Sequence, residues 1–180
     1  MRLTLIFVSL WLAAVSAAKA GVTMSAYAIT TEHAARIQND EALLDALIQE
    51  GKGAKRSVDF DKSWDGMHYL LTGVAKPDGS IGSKAIFGGS PVGSDLGYPK
   101  ARVLAPKEVQ EIAAMLEKLS FATLAKHYDP KEMQRLKIYP EIWETNPVQL
   151  KDYLSSYYRQ LVAFYKEAAR AEACVVIRII

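Results

Sequence analysis

Most hydrophobic positions in this chain of 180 residues recur with the three- and four-residue spacing of amphipathic helices. The longest such pattern covers residues 147–172, where Leu154 and Phe164 fall on the same side of a helix. Shorter stretches at residues 24–29 and 99–104 alternate as strands do. Together the patterns predict a single compact α+β domain, with about seven helices packed on a small mixed β-sheet.

The last stretch of the chain, residues 174–180, is almost entirely apolar and rich in β-branched side chains. Such an uninterrupted run is typical of a strand that is buried on both faces. Its first residue, Cys174, is the only cysteine, which excludes an intramolecular disulfide. We therefore expect Cys174 to be a buried thiol that packs as a small hydrophobe.

Residues 59–73 form the stretch around which we expect the domain to be organised. Asp61 stands where a helix N-cap would accept the first free N–H groups, and Gly73 stands where a left-handed residue would end the helix. Four residues recur at the spacing of one helix face and are predicted to point inward: Trp64, Met67, His68 and Leu71.

Six of the eleven glycines lie within residues 79–97. They surround residues 84–87, for which we predict a short buried strand between turns. The glycines lack the spacing of a phosphate-binding loop, a dinucleotide fingerprint or a nucleophile elbow. Because loops often carry binding residues, three polar side chains here are candidates for a ligand or partner site: Asp95, Tyr98 and Arg102.

Aromatic residues on the long helix could form a stacking surface for a sugar or a peptide. At helical spacing, however, aromatic side chains more often belong to the core. Tyr158 lies beside the main apolar stripe, so it is the tyrosine that we expect to be partly exposed.

The N-terminus has the three parts of a secretory signal. Arg2 is followed by an apolar run at residues 3–15, and Ala18 and Ala20 occupy the small-residue positions of a cleavage site. We predict a signal peptide at residues 1–20, a mature domain at residues 21–180, and a periplasmic or secreted location. Translation from Met24 is the alternative and would give a cytoplasmic protein.

The N-terminal segment also affects which kinds of partner the composition excludes. Its apolar run is shorter than the roughly 20 residues that span a bilayer, so no stable membrane anchor is expected. Arg2 and Lys19 are its only charged residues, and without them the chain has equal numbers of basic and acidic side chains. A chain without net charge has no general attraction for nucleic acid, and we expect no nucleic-acid partner.

His68 is the candidate for acid–base chemistry. A general base needs a carboxylate within hydrogen-bonding reach, and Asp59, Asp61 and Asp95 are of the right type. The alternative is a histidine that is packed in the core and bonded to the backbone, and this is the interpretation that we prefer.

Asp59 and Asp61 could also bind a hard cation together, but the stretch lacks the ligand number and the glycine of a calcium loop. Capping of a helix is the simpler account of Asp61. The histidines and the single cysteine have no zinc-site spacing. The sequence thus predicts no catalytic set, no metal and no cofactor.

Several motifs together give the chain a resemblance to a known family. It resembles the YfbM-like family of bacterial domains of unknown function over residues 24–180, although members usually begin near Met24. The resemblance implies a compact α+β domain and carries no established activity. It rests on MSAY (24–27), DFDKSWDGMHYLLTG (59–73), AIFGG (85–89), GSDLGY (93–98), AR (101–102), YPEIW (139–143) and the closing helix and strand.

Two hypotheses of function follow. The first is an exported, non-catalytic module that binds another protein, for example as an immunity-type protein that neutralises a toxin. The alternative is a small-ligand binder or an acid–base enzyme with a pocket around His68 and the glycine-rich loop. Both hypotheses use the same candidate residues: Asp59, Asp61, Trp64, His68, Asp95, Tyr98 and Arg102.

Overall fold

The computed structural model describes residues 21–94 and 99–180. Within these ranges the chain forms five strands and eight α-helices, with 3₁₀ turns at Asp61–Ser63 and Ala125–His127. In chain order the elements are β1 (Met24–Ile29), α1 (Thr31–Ile37), α2 (Glu41–Glu50), β2 (Arg56–Asp59), α3 (Trp64–Thr72), α4 (Ile81–Phe87), β3 (Ser90–Val92), β4 (Ala101–Leu104), α5 (Pro106–Lys118), α6 (Phe121–Leu124), α7 (Pro130–Arg135), α8 (Pro147–Arg170) and β5 (Cys174–Ile179).

The five strands form one sheet in the order β2-β1-β5-β4-β3. The prediction of a single compact α+β domain is confirmed. The sheet is antiparallel at every pairing rather than mixed. The direction of a strand depends on which distant segment it pairs with, and apolar spacing within one segment does not report this.

Strand β5 lies at the centre of the sheet and is buried on both faces, as its continuous apolar run predicts. On one face, the packed helices include α3, α4, α5 and α8, and Val175 and Ile177 belong to this core. On the other face, α1 and α2 pack against the side of β5 that carries Cys174 and Val176. Cys174 is a buried free thiol, as expected.

Short-range signals locate the helix ends well. Gly73 ends α3 in the left-handed region with φ of 74°. Pro106 opens α5, and the side chains of Asp129 and Asn146 accept backbone N–H groups at the starts of α7 and α8. None of the helices within the described ranges is both long and apolar enough to cross a bilayer.

The predicted strand at residues 84–87 is wrong, because these residues end α4. The hydroxyl of Ser80 accepts the N–H of Ser83 and caps this helix, whose buried residues include Ala85 and Ile86. A short apolar run fits a buried strand and a buried helical turn equally well. Here the N-cap at Ser80, upstream of the run, favours the helix.

Tyr158 is buried, contrary to the prediction that it is partly exposed, with 5% of its surface accessible. Its hydroxyl donates a hydrogen bond to the carbonyl of Leu119 at 2.8 Å. A neighbouring helix end therefore covers this side of α8. The apolar stripe predicted from the sequence of α8 alone gives no information about this contact.

Candidate functional site

A groove of about 720 Å³ opens between one corner of the sheet and the helices α3 and α4. Arg102 lies opposite Ile177 in the β4–β5 pairing and opposite Pro91 in the β3–β4 pairing, so these three side chains share one face of the sheet. We call this cavity the Trp64 groove. Its lining residues are Trp64, Pro77, Ile86, Phe87, Pro91, Pro99, Lys100, Arg102, Ile177 and Ile179.

Trp64 forms a fixed aromatic wall of the groove. Its ring stacks on Tyr139 with centroids 5.5 Å apart, and it meets Phe87 edge-on at 5.9 Å. The indole N–H donates to the carbonyl of Val22 at 3.1 Å. The ring is only partly buried, whereas Met67 on the same predicted stripe is in the core. Trp64 therefore presents an oriented apolar surface to the groove.

Arg102 supplies a cation that is held in place. Its Nε donates to the carbonyl of Gly88 at 3.3 Å and its Nη2 donates to that of Gly89 at 2.5 Å. Gly89 has φ of 90°, and a Cβ there would lie 2.5 Å from the backbone of Val103, so only glycine fits. Lys100 is exposed nearby. Among the described lining residues, the charged side chains are these two cations, without a carboxylate.

His68 lies outside the lining of the groove, behind Phe87. It is fully buried, its Nε2 is 3.2 Å from the hydroxyl of Ser83, and its ring is 4.9 Å from that of Phe87. Burial lowers its pKa, and the more distant Asp78 only partly opposes this shift. Nδ1 has no hydrogen-bond partner within the described ranges. Within the described residues, His68 is thus a packed ring with a hydroxyl partner and no bonded carboxylate.

Asp59 and Asp61 lie elsewhere, beside α8. Asp59 accepts the N–H of Asp61 at 2.7 Å, and Asp61 accepts the hydroxyl of Tyr153 at 2.9 Å. The prediction that Asp61 caps the organising helix is wrong, because residues 61–63 form a 3₁₀ turn and Asp61 has φ of 48°. In the described part of the chain, no three His, Cys, Asp or Glu side chains cluster closely enough to hold a metal.

The structure therefore brings two of the seven sequence-based candidates, Trp64 and Arg102, to one groove. Asp95 and Tyr98 lie outside the described residues, which resume at Pro99 on the rim of the groove.

Sequence reasoning missed the contribution of the chain ends. Thr23 and Ile180 exchange two backbone hydrogen bonds, of 2.7 and 2.9 Å, which extend the pairing of β1 with β5. Val22, which is 39% exposed, lies beside Trp64, because its carbonyl accepts the indole N–H of that residue. Ile180 is 46% exposed at the end of the same pairing. The apolar run at residues 174–180 indicates a strand, but nothing in that run indicates that its last residue is exposed.

Asp65 is a second residue that sequence reasoning missed. Its carboxylate accepts the N–H of Tyr139 at 2.8 Å and so fastens the segment that stacks on Trp64. Burial raises the pKa of Asp65 to about 6, and the hydrogen bond from Tyr139 opposes this only in part. The neighbouring Gly66 allows close packing, since a Cβ there would lie 2.6 Å from the ring of Trp143.

Comparison with known proteins agrees with this fold. The family model described as a domain of unknown function (DUF1877) matches residues 21–178. The crystal structure of YfbM from Escherichia coli, described as a protein of unknown function, superimposes with a TM-score of 0.70 at 21% sequence identity, covering 88% of this chain and 99% of that one. None of the curated proteins compared with the sequence matches it.

Proposed function

The chain belongs to the family described as a domain of unknown function (DUF1877), and from that premise we propose that it is an exported, non-catalytic module that binds another protein at the Trp64 groove. One observation carries the proposal. A fixed aromatic wall opens onto a largely apolar groove, and the exposed residue Val22 lies beside that wall. Contiguous exposed apolar surface of this kind is typical of interaction sites.

The composition of the groove supports a macromolecule as its partner. Oriented aromatic residues and arginine are enriched where protein interfaces bind most tightly. Trp64, Phe87 and Arg102 are all held by neighbours before any partner arrives, which reduces the side-chain entropy lost on binding. An immunity-type role, in which the partner is a toxin, is one form of this proposal.

A small-molecule ligand is the second candidate. Its support is the volume of the groove, about 720 Å³, which lies within the range of roughly 300–1,000 Å³ typical of ligand pockets. Acid–base catalysis at the groove has less support, because His68 is fully buried and is not among the residues that line the groove.

Site-directed cross-linking tests the interaction. Pro77 is exposed on the rim of the groove, and we expect p-benzoylphenylalanine at this position to yield a discrete cross-linked protein in the producing cells. The same substitution at Lys131, which is exposed on α7, is the matched control. The partner, identified by mass spectrometry and purified, should bind wild type and lose affinity for Lys100→Glu. Identical adducts at both positions would contradict the proposal. So would a partner whose affinity is unchanged by Lys100→Glu.

Export is tested at the N-terminus of the native protein. We expect Edman sequencing of protein recovered from the periplasm to begin at Gly21, directly after the small-residue site at Ala18 and Ala20. A sequence that begins at Met24 or Ser25 would contradict export.

A further inference from the structure

The central strand of the sheet loses one of its two neighbours at the groove. The pairing of β4 with β5 ends at Arg102 opposite Ile177. On its other side, β5 remains paired as far as Met24 opposite Ile179, and the backbone bonds with Thr23 extend that pairing. Within the described residues, the last part of β5 is therefore paired on the β1 side only.

The backbone groups of Ile179 point to the unpaired side. Both the N–H and the C=O of Ile180 are used by Thr23. In an antiparallel sheet, successive residues direct these groups to opposite sides, so those of Ile179 face away from β1 and toward the side on which β4 lies.

Lys100, which continues β4, makes no backbone hydrogen bond with Ile179 within the described residues. Pro99, the next residue outward, has no N–H to donate, and its carbonyl accepts a hydrogen bond from the guanidinium of Arg178. An N–H and a C=O thus lie at a groove lined by Trp64 and Lys100.

We propose that the groove binds an extended peptide segment, which pairs with Ile179 and adds a short strand beside β5. This inference rests on the proposed function and specifies the form of the partner. A helix would leave the N–H and C=O of Ile179 covered but unpaired, which is unfavourable, whereas an extended backbone pairs with both.

The lining also specifies the side chains of the segment. Side chains alternate along a strand, so every second one faces the groove. Trp64, Phe87 and the prolines favour an apolar side chain there, and the cations Lys100 and Arg102 favour an adjacent acidic one. The occupant is therefore an extended segment of a protein partner that combines apolar residues with Asp or Glu.

A random heptapeptide library on phage, panned against the mature chain, provides the probe. We expect enriched peptides that combine apolar and acidic residues and that fail to bind Trp64→Ala. N-methylation of each amide of one enriched peptide then tests the backbone pairing by calorimetry. A loss of affinity of about tenfold or more is expected at one amide, the one whose N–H is donated to the carbonyl of Ile179.

Two charge-reversal variants test the preference for an acidic residue. Lys100→Glu should weaken binding of the acidic peptide by about tenfold, whereas Lys131→Glu on α7 should leave it unchanged. Thermal melts check that each variant, including Trp64→Ala, is folded. Equal effects of the two charge reversals would contradict the acidic preference.

The outcomes separate the inference from the proposed function. Peptides that require Trp64, but whose affinity falls equally at every N-methylated amide or at none, would overturn strand addition and leave groove binding intact. Failure to enrich any peptide whose binding depends on Trp64 would instead count against the groove as a site for a protein segment.

Discussion

Replacing Trp143 by alanine is expected to lower the free energy of unfolding by about 3–5 kcal/mol, as is usual for the largest buried side chains. Trp143 is fully buried and lies against Gly66, where even a Cβ would come within 2.6 Å of its ring. Its indole N–H donates to the carbonyl of Ile138 at 2.7 Å. Removal of the ring would leave a cavity and take away one of the two hydrogen bonds that the carbonyl of Ile138 accepts.

Chemical denaturation measures this loss, and Trp64→Ala is its control. Trp64 is partly exposed on the groove wall, so the same substitution removes less buried surface and should destabilise the domain less. Total stability of a domain is typically about 5–15 kcal/mol, so Trp143→Ala should also lower the melting temperature clearly. A Trp143→Ala protein that unfolds at the wild-type denaturant concentration would show that this ring is not part of the core.

Asp65→Asn is expected to stabilise the domain at neutral pH. It should also remove the part of the pH dependence of stability that comes from ionisation of Asp65. The pKa of Asp65 rises from 3.8 to about 6 on folding. Between these values the folded state binds more protons than the unfolded state, so stability falls as pH rises from about 4 to 6 and stays lower above. At 1.36 kcal/mol per pKa unit, ionisation of Asp65 costs at most about 3 kcal/mol.

Denaturation of wild type and Asp65→Asn from pH 4 to pH 8 gives the measurement. The amide oxygen of asparagine can still accept the N–H of Tyr139 but cannot ionise, so the gain should appear above about pH 6. The effect of His68 on stability has the opposite dependence on pH. Because folding lowers its pKa, the stability that is present above its unfolded pKa of about 6.5 is lost as pH falls. Since both proteins contain His68, their difference isolates Asp65. Parallel stability curves would contradict the raised pKa.

Much of the domain was predictable from local sequence, because the responsible interactions are local. A helix end is decided by a residue that bonds its own first or last turn, as Asp129, Asn146 and Gly73 do. The buried strand β5 was predictable because burial on both faces leaves a continuous apolar run. These signals also establish the α+β class, which follows from the number and kind of elements.

The candidate site was only partly predictable. Trp64 and Arg102 were singled out from their own segments, but their convergence depends on β4 pairing with β5 at the far end of the chain. The same packing decides that His68 meets Ser83 and that Asp61 meets Tyr153. Contacts between residues so distant in sequence leave no periodic trace in either segment.

The sequence by itself therefore determined the α+β class, the strands β1, β4 and β5, and the apolar faces of the main helices. It did not indicate the outer strands β2 and β3, and it assigned the short run now in α4 to a strand. Only the tertiary structure decided which apolar side chains remain open to solvent. Trp64 and Met67 share a helix face, yet one faces the groove and the other the core. The reason is physical: a helix stripe records hydrophobicity, whereas exposure depends on where the neighbouring layer ends.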